Sequence, residues 1–407
     1  MSAGPTFCAR YNALVTTVIA PDTPDQGENF ARRLLAWYDG ARRDLPWRRT
    51  RDPYAIWVSE MMLQQTQVAT ATPFWTRWME RFPTVRSLAE ASLDDVLKQW
   101  QGLGYYARAR NLHRAARVIV EKHGGAFPAR FEDVLALPGV GRYTAGAICS
   151  IAFDQDVPLV DANVVRVLCR VFGVRGDPKS TKVQAELWRL AEQLLPSGRA
   201  GAFNQGLMEL GALVCQPQPR CPACPVRERC AAYASGDPAA LPEFAPRPTF
   251  TSQTDVSAIV RRTLRGDDRV LLVQRPSEGL WGGLWEFPRI TLSEGETPEA
   301  GAIRAAREVA GIAVRAAACL GVVKHGVTTR KITLIGVGCA PTDEAVKPEA
   351  RGGAAWVWVS PGGLDRYALS SPQARLAEQA LAPRAQPSLW DDAAEEAAEP
   401  TAKTAAR

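Results

Sequence analysis

The chain of 407 residues contains no run of eighteen uninterrupted apolar residues, so the ordinary signature of a membrane-spanning helix is missing. Residues 1–27 lack a basic start followed by an apolar stretch, and no secretory leader is expected there. A large charge excess is missing too: the formal net charge of +6 favours an anionic partner only weakly. Nor are the nine cysteines spread as a disulfide framework. Cys215, Cys221, Cys224 and Cys230 crowd into one stretch, while Cys8, Cys149, Cys169, Cys319 and Cys339 are scattered. These absences point to a soluble, cytoplasmic protein without a membrane partner. It is too long for one hydrophobic core, so two domains are expected.

Amphipathic helical patterns run through the first half, at Phe30 to Tyr38, Leu93 to Trp100, Asn111 to Lys122 and Val183 to Leu195. Residues 235–250, where the composition shifts to Ser-Gly-Asp-Pro and Leu-Pro-Glu-Phe-Ala-Pro-Arg-Pro, read as a linker. Beyond it, Val256 to Thr263, Val270 to Gln274 and Ile332 to Gly338 read as strands and Pro298 to Val309 as an Ala-rich helix. The expected organisation is a flexible extension over 1–27, an all-α domain over 28–234, the linker, an α+β domain over 251–383, and a disordered tail over 384–407, whose Ala, Glu and Pro cannot offset ordering entropy.

Three features of the all-α half carry chemistry. In Leu137-Pro138-Gly139-Val140-Gly141-Arg142-Tyr143, two glycines permit a tight turn, and a helix opening behind it offers free amides to a phosphate; a plain turn between helices reads the same way. Glu60 sits among large apolar side chains, where burial disfavours its charged form and suits it to donate a proton, unless it faces solvent from a helix boundary. Asp161 either caps the helix that follows or serves as a second acid. One carboxylic acid and one carboxylate meet the needs of a glycosidic bond that breaks through an oxocarbenium-like state. A protein that merely binds DNA has no use for two carboxylates facing a polyanion. The spacing Cys215-x5-Cys221-x2-Cys224-x5-Cys230 is too compact for a typical zinc ribbon and suits an iron–sulfur cluster better, with zinc as the alternative.

Taken in order, Leu45-Pro46-Trp47-Arg48, the stretch from Trp57 to Val68, Gly102-Leu103-Gly104-Tyr105-Tyr106 through Leu112, the hairpin, Asp161-x-Asn163-Val164, Phe203 to Gly211 and the cysteines resemble the MutY family of adenine DNA glycosylases. The resemblance implies a helix-hairpin-helix glycosylase domain with an iron–sulfur loop, followed by a Nudix-like α+β domain. It implies a [4Fe-4S] cluster on the four cysteines, a monomer, and duplex DNA bearing adenine opposite 8-oxoguanine or guanine as substrate. Glu60 would protonate N7 of the flipped adenine and later activate water. Asp161 would steady the sugar cation, bonding transiently to the anomeric carbon with retention, and Asn163 and Tyr143 would support it. Arg43, Trp47, Arg48, Leu63 and Glu209 match the adenine pocket. Gln65, Leu103 and Tyr105 match wedges into the base stack, and Thr66, Gly104, Gly139, Val140 and Gly141 further DNA contacts. Tyr143 stands where the endonuclease III branch has its lysine; a phenol forms no imine, so no strand cleavage is expected.

In the second half, Gly279 to Pro288 looks like the opening of the MutT-like domain of that family. A working Nudix box needs clustered carboxylates for magnesium. Glu299, Arg307, Glu308 and Val309 fit part of it, but Ser293 replaces a glycine and Ala310-Gly311 leaves no Glu-Glu pair. The domain is therefore expected to read 8-oxoguanine rather than hydrolyse nucleotides. The family's recognition loop is here His325-Gly326-Val327-Thr328-Thr329, which keeps one hydroxyl, on Thr328, but loses an aromatic and a second imidazole. Arg330 and Lys331 are expected to share the discrimination. Five residues separate the first two cysteines where many relatives have six.

Overall fold

The computed structural model describes residues 24–246, 249–264, 266–343, 345–350 and 354–382. The tail expected over 384–407 lies outside them, as does the extension expected over 1–27 as far as residue 23; residues 24–27 open a helix instead, because they lead into the amphipathic run that packs on the core. The chain divides into two compact units that meet at Pro248 and Thr249. Among the described residues, no helix is long and apolar enough to cross a membrane.

Unit 1 is helical: α1 (Pro24–Ala41), α2 (Pro53–Leu63), α3 (Val68–Arg81), α4 (Val85–Glu90), α5 (Leu93–Trp100), α6 (Ala107–His123), α7 (Phe131–Leu135), α8 (Arg142–Ala152), α9 (Ala162–Phe172), α10 (Thr181–Gln193), α11 (Ala200–Leu213) and α12 (Ala231–Ala234). Local chemistry sets the boundaries. Asp52 caps α2 through Tyr54 N–H with Pro53 behind it, Ser92 caps α5, and Gly124 and Gly173 end α6 and α9 in left-handed conformations. α2 has no polar face: every residue from Tyr54 to Met62 is buried. Its Tyr54 and Trp57 lie edge-to-face, and Trp78, itself edge-to-face with Phe82 and Trp100, donates to the Tyr54 hydroxyl. α11 packs on α1, α8 and α9 around Phe30, Leu34, Leu168, Phe203 and Leu207.

The segment read as a linker is held to unit 1 over its first part. A 3-10 turn spans Pro238–Ala240, Leu241 is buried, and Glu243 accepts from Arg175 and the Gly176 amide. Its proline-rich sequence stops regular structure without preventing packing.

Unit 2 is a mixed sheet of β1 (Thr251–Leu264), β2 (Asp267–Gln274), β3 (Trp285–Glu286), β4 (Arg289–Thr291), β5 (Val314–Val327), β6 (Arg330–Pro341) and β7 (Trp356–Val359). The strand order is β3-β2-β1-β6-β5, with β4 on β1 and β7 on β2; β1 and β6 run parallel. α13 (Pro298–Ala310) and α14 (Ser371–Leu381) cover the sheet, with apolar clusters around Val256, Val260 and Ala306 and around Ile259, Phe287 and Leu376. β5 escaped the sequence pattern because it is Ala-rich and largely exposed. Its long antiparallel pairing with β6 defines it instead.

The hairpin between α7 and α8 shows where glycine is required. Gly139 has φ +76°, and a Cβ there would sit 2.4–2.6 Å from the Asn111 side chain. Gly141 has an ordinary extended backbone (φ −96°) and open space around it. Gly139→Ala is expected to destabilise unit 1 by about 1–3 kcal/mol in urea denaturation, while Gly141→Ala stays within about 0.5 kcal/mol. Equal effects of the two would contradict this assignment.

Candidate active site

A cleft of about 950 Å³ in unit 1 is lined by Arg43, Trp47, Arg48, Glu60, Leu63, Gln65, Thr66, Tyr143, Asp161, Asn163 and Glu209, residues contributed by loops and helices from α1 to α11. All the residues expected to act on the bond or to line the adenine pocket therefore meet in one place. Glu60 is 5% exposed, and the Tyr143 hydroxyl donates a short hydrogen bond to its Oε2. Burial pushes the Glu60 carboxyl up to about 7; Asp161 adds to the shift, while Tyr143 and Arg48 oppose it. The same surroundings hold Tyr143 well above its ordinary range, through burial first and the two carboxylates next.

Asp161 caps α9 and also lines the cleft. Its Oδ1 accepts from Val164 N at 2.7 Å and caps α9, and its Oδ2 accepts from Asn163 Nδ2 at 2.8 Å at the cleft. Burial raises this carboxyl as well, but the Val164 and Asn163 donors and the Arg166 cation oppose the rise. Asn163 thus holds Asp161, and Arg166 fixes Asn163 by donating to its Oδ1 at 2.9 Å. Tyr143, expected beside Asp161, donates instead to Glu60.

Glu209 is the electrostatic opposite of Glu60. Arg43 donates to both its oxygens at 2.8 and 2.7 Å, and Arg48 does so at 3.1 and 2.9 Å. Burial raises its carboxyl, yet these hydrogen bonds outweigh burial and hold it at about 2. Trp47 is buried at the cleft, edge-on to Trp75.

Among the expected DNA contacts, Gln65 and Tyr105 are exposed, and both take left-handed backbones, φ +59° and +49°. Thr66 and Gly104 lie partly exposed beside them, and Gly139 and Gly141 are exposed at the hairpin. Two candidates point inward. Leu103 is 6% exposed and does not project as a wedge, and Val140 is buried with its amide spent on the Leu137 carbonyl. A glycine-rich motif shows that the chain turns, not which side chain faces out. Thr328, in unit 2, occupies the β5–β6 turn with φ +50°, its hydroxyl donating to the Val327 carbonyl at 2.8 Å. There the His325 ring lies 5.8 Å from Trp281, and Arg289 stacks over Trp281 at 4.4 Å.

Cys215, Cys221, Cys224 and Cys230 line one hollow with Val167, Val171, Leu210 and Val214. Among the described residues no three His, Cys, Asp or Glu side chains converge as a single ion requires. Four thiols around a shared apolar hollow suit a polynuclear cluster better than one zinc ion. Arg170 was not legible in sequence, where it is one basic residue of α9. It is 2% exposed and donates to Cys215 Sγ at 3.5 Å and to the loop carbonyls of Gln216 and Pro217.

Residues 58–193 match the HhH-GPD superfamily of base excision DNA repair proteins, and residues 260–379 match the NUDIX domain. The adenine DNA glycosylase of Buchnera aphidicola subsp. Acyrthosiphon pisum is 36% identical over 267 residues, covering 65% of this chain and 75% of that protein. The chain belongs to the adenine DNA glycosylase family. Other members are the mouse protein, 46% identical over 66% of this chain and 61% of its own length, and the human protein, 44% identical over 66% and 58%. The chain spans about 60% of the length of these mammalian members.

A buried carboxyl with a raised pKa weakens folding as it ionises. Below pH 4.5, Glu60 is protonated in folded and unfolded chains alike and costs nothing; the cost grows up to about pH 7 and is complete above it. Glu60→Gln is therefore expected to stabilise the protein at pH 8.5 by up to about 3 kcal/mol and to leave stability at pH 4 unchanged. Denaturation of both proteins at the two pH values checks this; a variant destabilised at pH 8.5 would refute it.

Proposed function

We propose that the protein is a monofunctional DNA glycosylase that flips adenine out of duplex DNA, opposite 8-oxoguanine or guanine, and hydrolyses its N-glycosidic bond in base excision repair. The observation that carries this reading is the pairing of Glu60, raised to about 7 by burial, with Asp161 in one cleft. The neutral Glu60 carboxyl gives its proton to N7 of the extruded adenine. The bond between N9 and the sugar then breaks, and adenine leaves with the electron pair. Asp161, oriented by Val164 and Asn163, faces the positive sugar. Water adds at the anomeric carbon and loses its proton to the Glu60 carboxylate, which restores the starting state. Glu209, held by two arginines, remains ionised through this cycle and is an acceptor for the exocyclic amine of adenine. Arg43, Trp47, Arg48 and Leu63 enclose the base beside it.

In the same reading, Gln65 and Tyr105 enter the stack, while Thr66, Gly104, Gly139, Gly141 and the first amides of α8 approach the backbone. Cys215, Cys221, Cys224 and Cys230 would hold a [4Fe-4S] cluster, which would tie the 215–230 loop to itself in the hollow beside α9 and α11. Unit 2 reads the opposite strand through Thr328, Arg330 and Lys331. It is no nucleotide hydrolase, because α13 offers Glu308 without a neighbouring carboxylate pair, and Glu296 is bound by Arg304. The protein acts as a soluble, cytoplasmic monomer.

Single-turnover assays on duplexes carrying adenine opposite 8-oxoguanine, guanine or cytosine test this. Excision is expected only opposite the first two, with a roughly 10²–10⁴-fold loss in Glu60→Gln. The rate should fall tenfold per pH unit above about 7, where Glu60 loses its proton, and borohydride should trap no enzyme on DNA. An active Glu60→Gln enzyme or an efficient trap would sink the mechanism. Thr328→Ala is expected to narrow the preference for 8-oxoguanine over guanine by about three- to tenfold, the worth of one hydrogen bond; an unchanged preference would remove Thr328 from recognition.

A further inference from the structure

The last carbonyls of an α-helix have no partner within it. In α2 they lie one residue beyond Glu60, and the side chain that meets them comes from α6. Arg108 Nη1 donates to the carbonyls of Met61 at 2.8 Å, Met62 at 3.0 Å and Gln64 at 2.5 Å. Its Nη2 donates to the carbonyls of Leu103 at 3.3 Å and Gly104 at 3.2 Å and reaches Thr66 Oγ1 at 3.4 Å. One nitrogen thus serves the end of the acid-bearing helix, and the other serves mainly the 102–105 loop. The guanidinium also lies 5.2 Å from the Trp100 ring and 5.5 Å from the Tyr105 ring. Arg108 is 7% exposed, and burial pulls its cation down to about 10.

The two loops it joins hold the left-handed, non-glycine residues Gln65 and Tyr105. Such backbones are costly and persist only when their surroundings over-determine them. A planar fork with donors on both sides can bind two loops at once; the point charge of a lysine cannot.

We propose that Arg108 is a positioning residue that joins the loops 64–67 and 102–105 to the helix carrying Glu60, so that extrusion of the target base and presentation of the acid occur as one event. The proposal rests on the glycosylase reading. It separates Arg108 from the chemistry: the residue does not itself line the cleft and reaches it only through Gln64 and Thr66. Its loss slows entry of a base that must be unpaired and unstacked, and spares a base that is already loose.

Arg108→Lys in the full chain tests this on two substrates in single turnover: adenine paired with 8-oxoguanine, and adenine opposite a tetrahydrofuran abasic analogue, where no pairing opposes extrusion. The expected result is a loss of at least about thirtyfold on the paired duplex and at most about threefold on the unpaired one. In a Glu60→Gln background, 2-aminopurine placed beside the target adenine should brighten on binding, and the added Arg108→Lys change should suppress that signal while Kd shifts by less than about threefold. Equal losses on both substrates, or no loss on either, would overturn the coupling alone. Failure of the unsubstituted enzyme to excise adenine from either duplex would overturn the glycosylase reading and this proposal with it.

Discussion

Desolvation of one carboxyl is the constraint on which unit 1 turns. α2 packs against α3, α6 and α8, so its residues from Tyr54 to Met62 leave water. Glu60 carries the only carboxyl among the buried residues of that helix. Its proton is retained because burial outweighs the Tyr143 phenol that donates to it and the Arg48 cation, and the Asp161 carboxylate makes ionisation harder still. The core that stabilises the fold is therefore also what sets the chemistry of the cleft. Any substitution that lets water reach α2 would lower the Glu60 pKa as well as loosen the packing.

Glu60 and Glu209 show how little the residue type decides. Both are buried and both line one cleft, yet one is raised to about 7 and the other held at about 2. Two arginine forks account for the difference at Glu209, and their absence for the result at Glu60. An acid that releases a proton and an acceptor that stays charged can thus stand on one wall, their roles divided by neighbours alone.

Much of the site was legible in sequence because its parts are short motifs with a mechanical reason to exist. The Gly139 turn, the lone acid in an apolar helix and the cysteine spacing are of this kind. α5 was found at its observed bounds, Leu93 to Trp100, because a serine cap and an amphipathic pattern agree there. What stayed hidden depends on direction rather than composition. Leu103 and Val140 sit in the expected loops but turn inward. Arg108 lies in an Ala-Arg-Ala-Arg run that reads as a solvated helix start, and its burial follows from where α2 ends, some 45 residues earlier in the chain. Asp161 was hidden for a simpler reason. Capping a helix and lining a cleft look like alternatives in one dimension, but a carboxylate has two oxygens: one accepts from Val164 N and the other from Asn163 at the cleft.

The strained residues follow a related division. Gln65 and Tyr105 bracket the clamp made by Arg108, whereas Thr328 is pinned by the pairing of Val327 with Arg330 across the β5–β6 turn. In all three, a side chain is held out on backbone that a glycine would adopt more readily. Glycine would relieve the strain but would present no side chain. The fold instead accepts the strain beside hydrogen bonds from Arg108 in unit 1 and the Val327–Arg330 pairing in unit 2. On the proposed function, side chains placed in advance would lose less ordering entropy on binding, leaving more of the interaction energy to oppose the stacking and pairing of the base to be extruded.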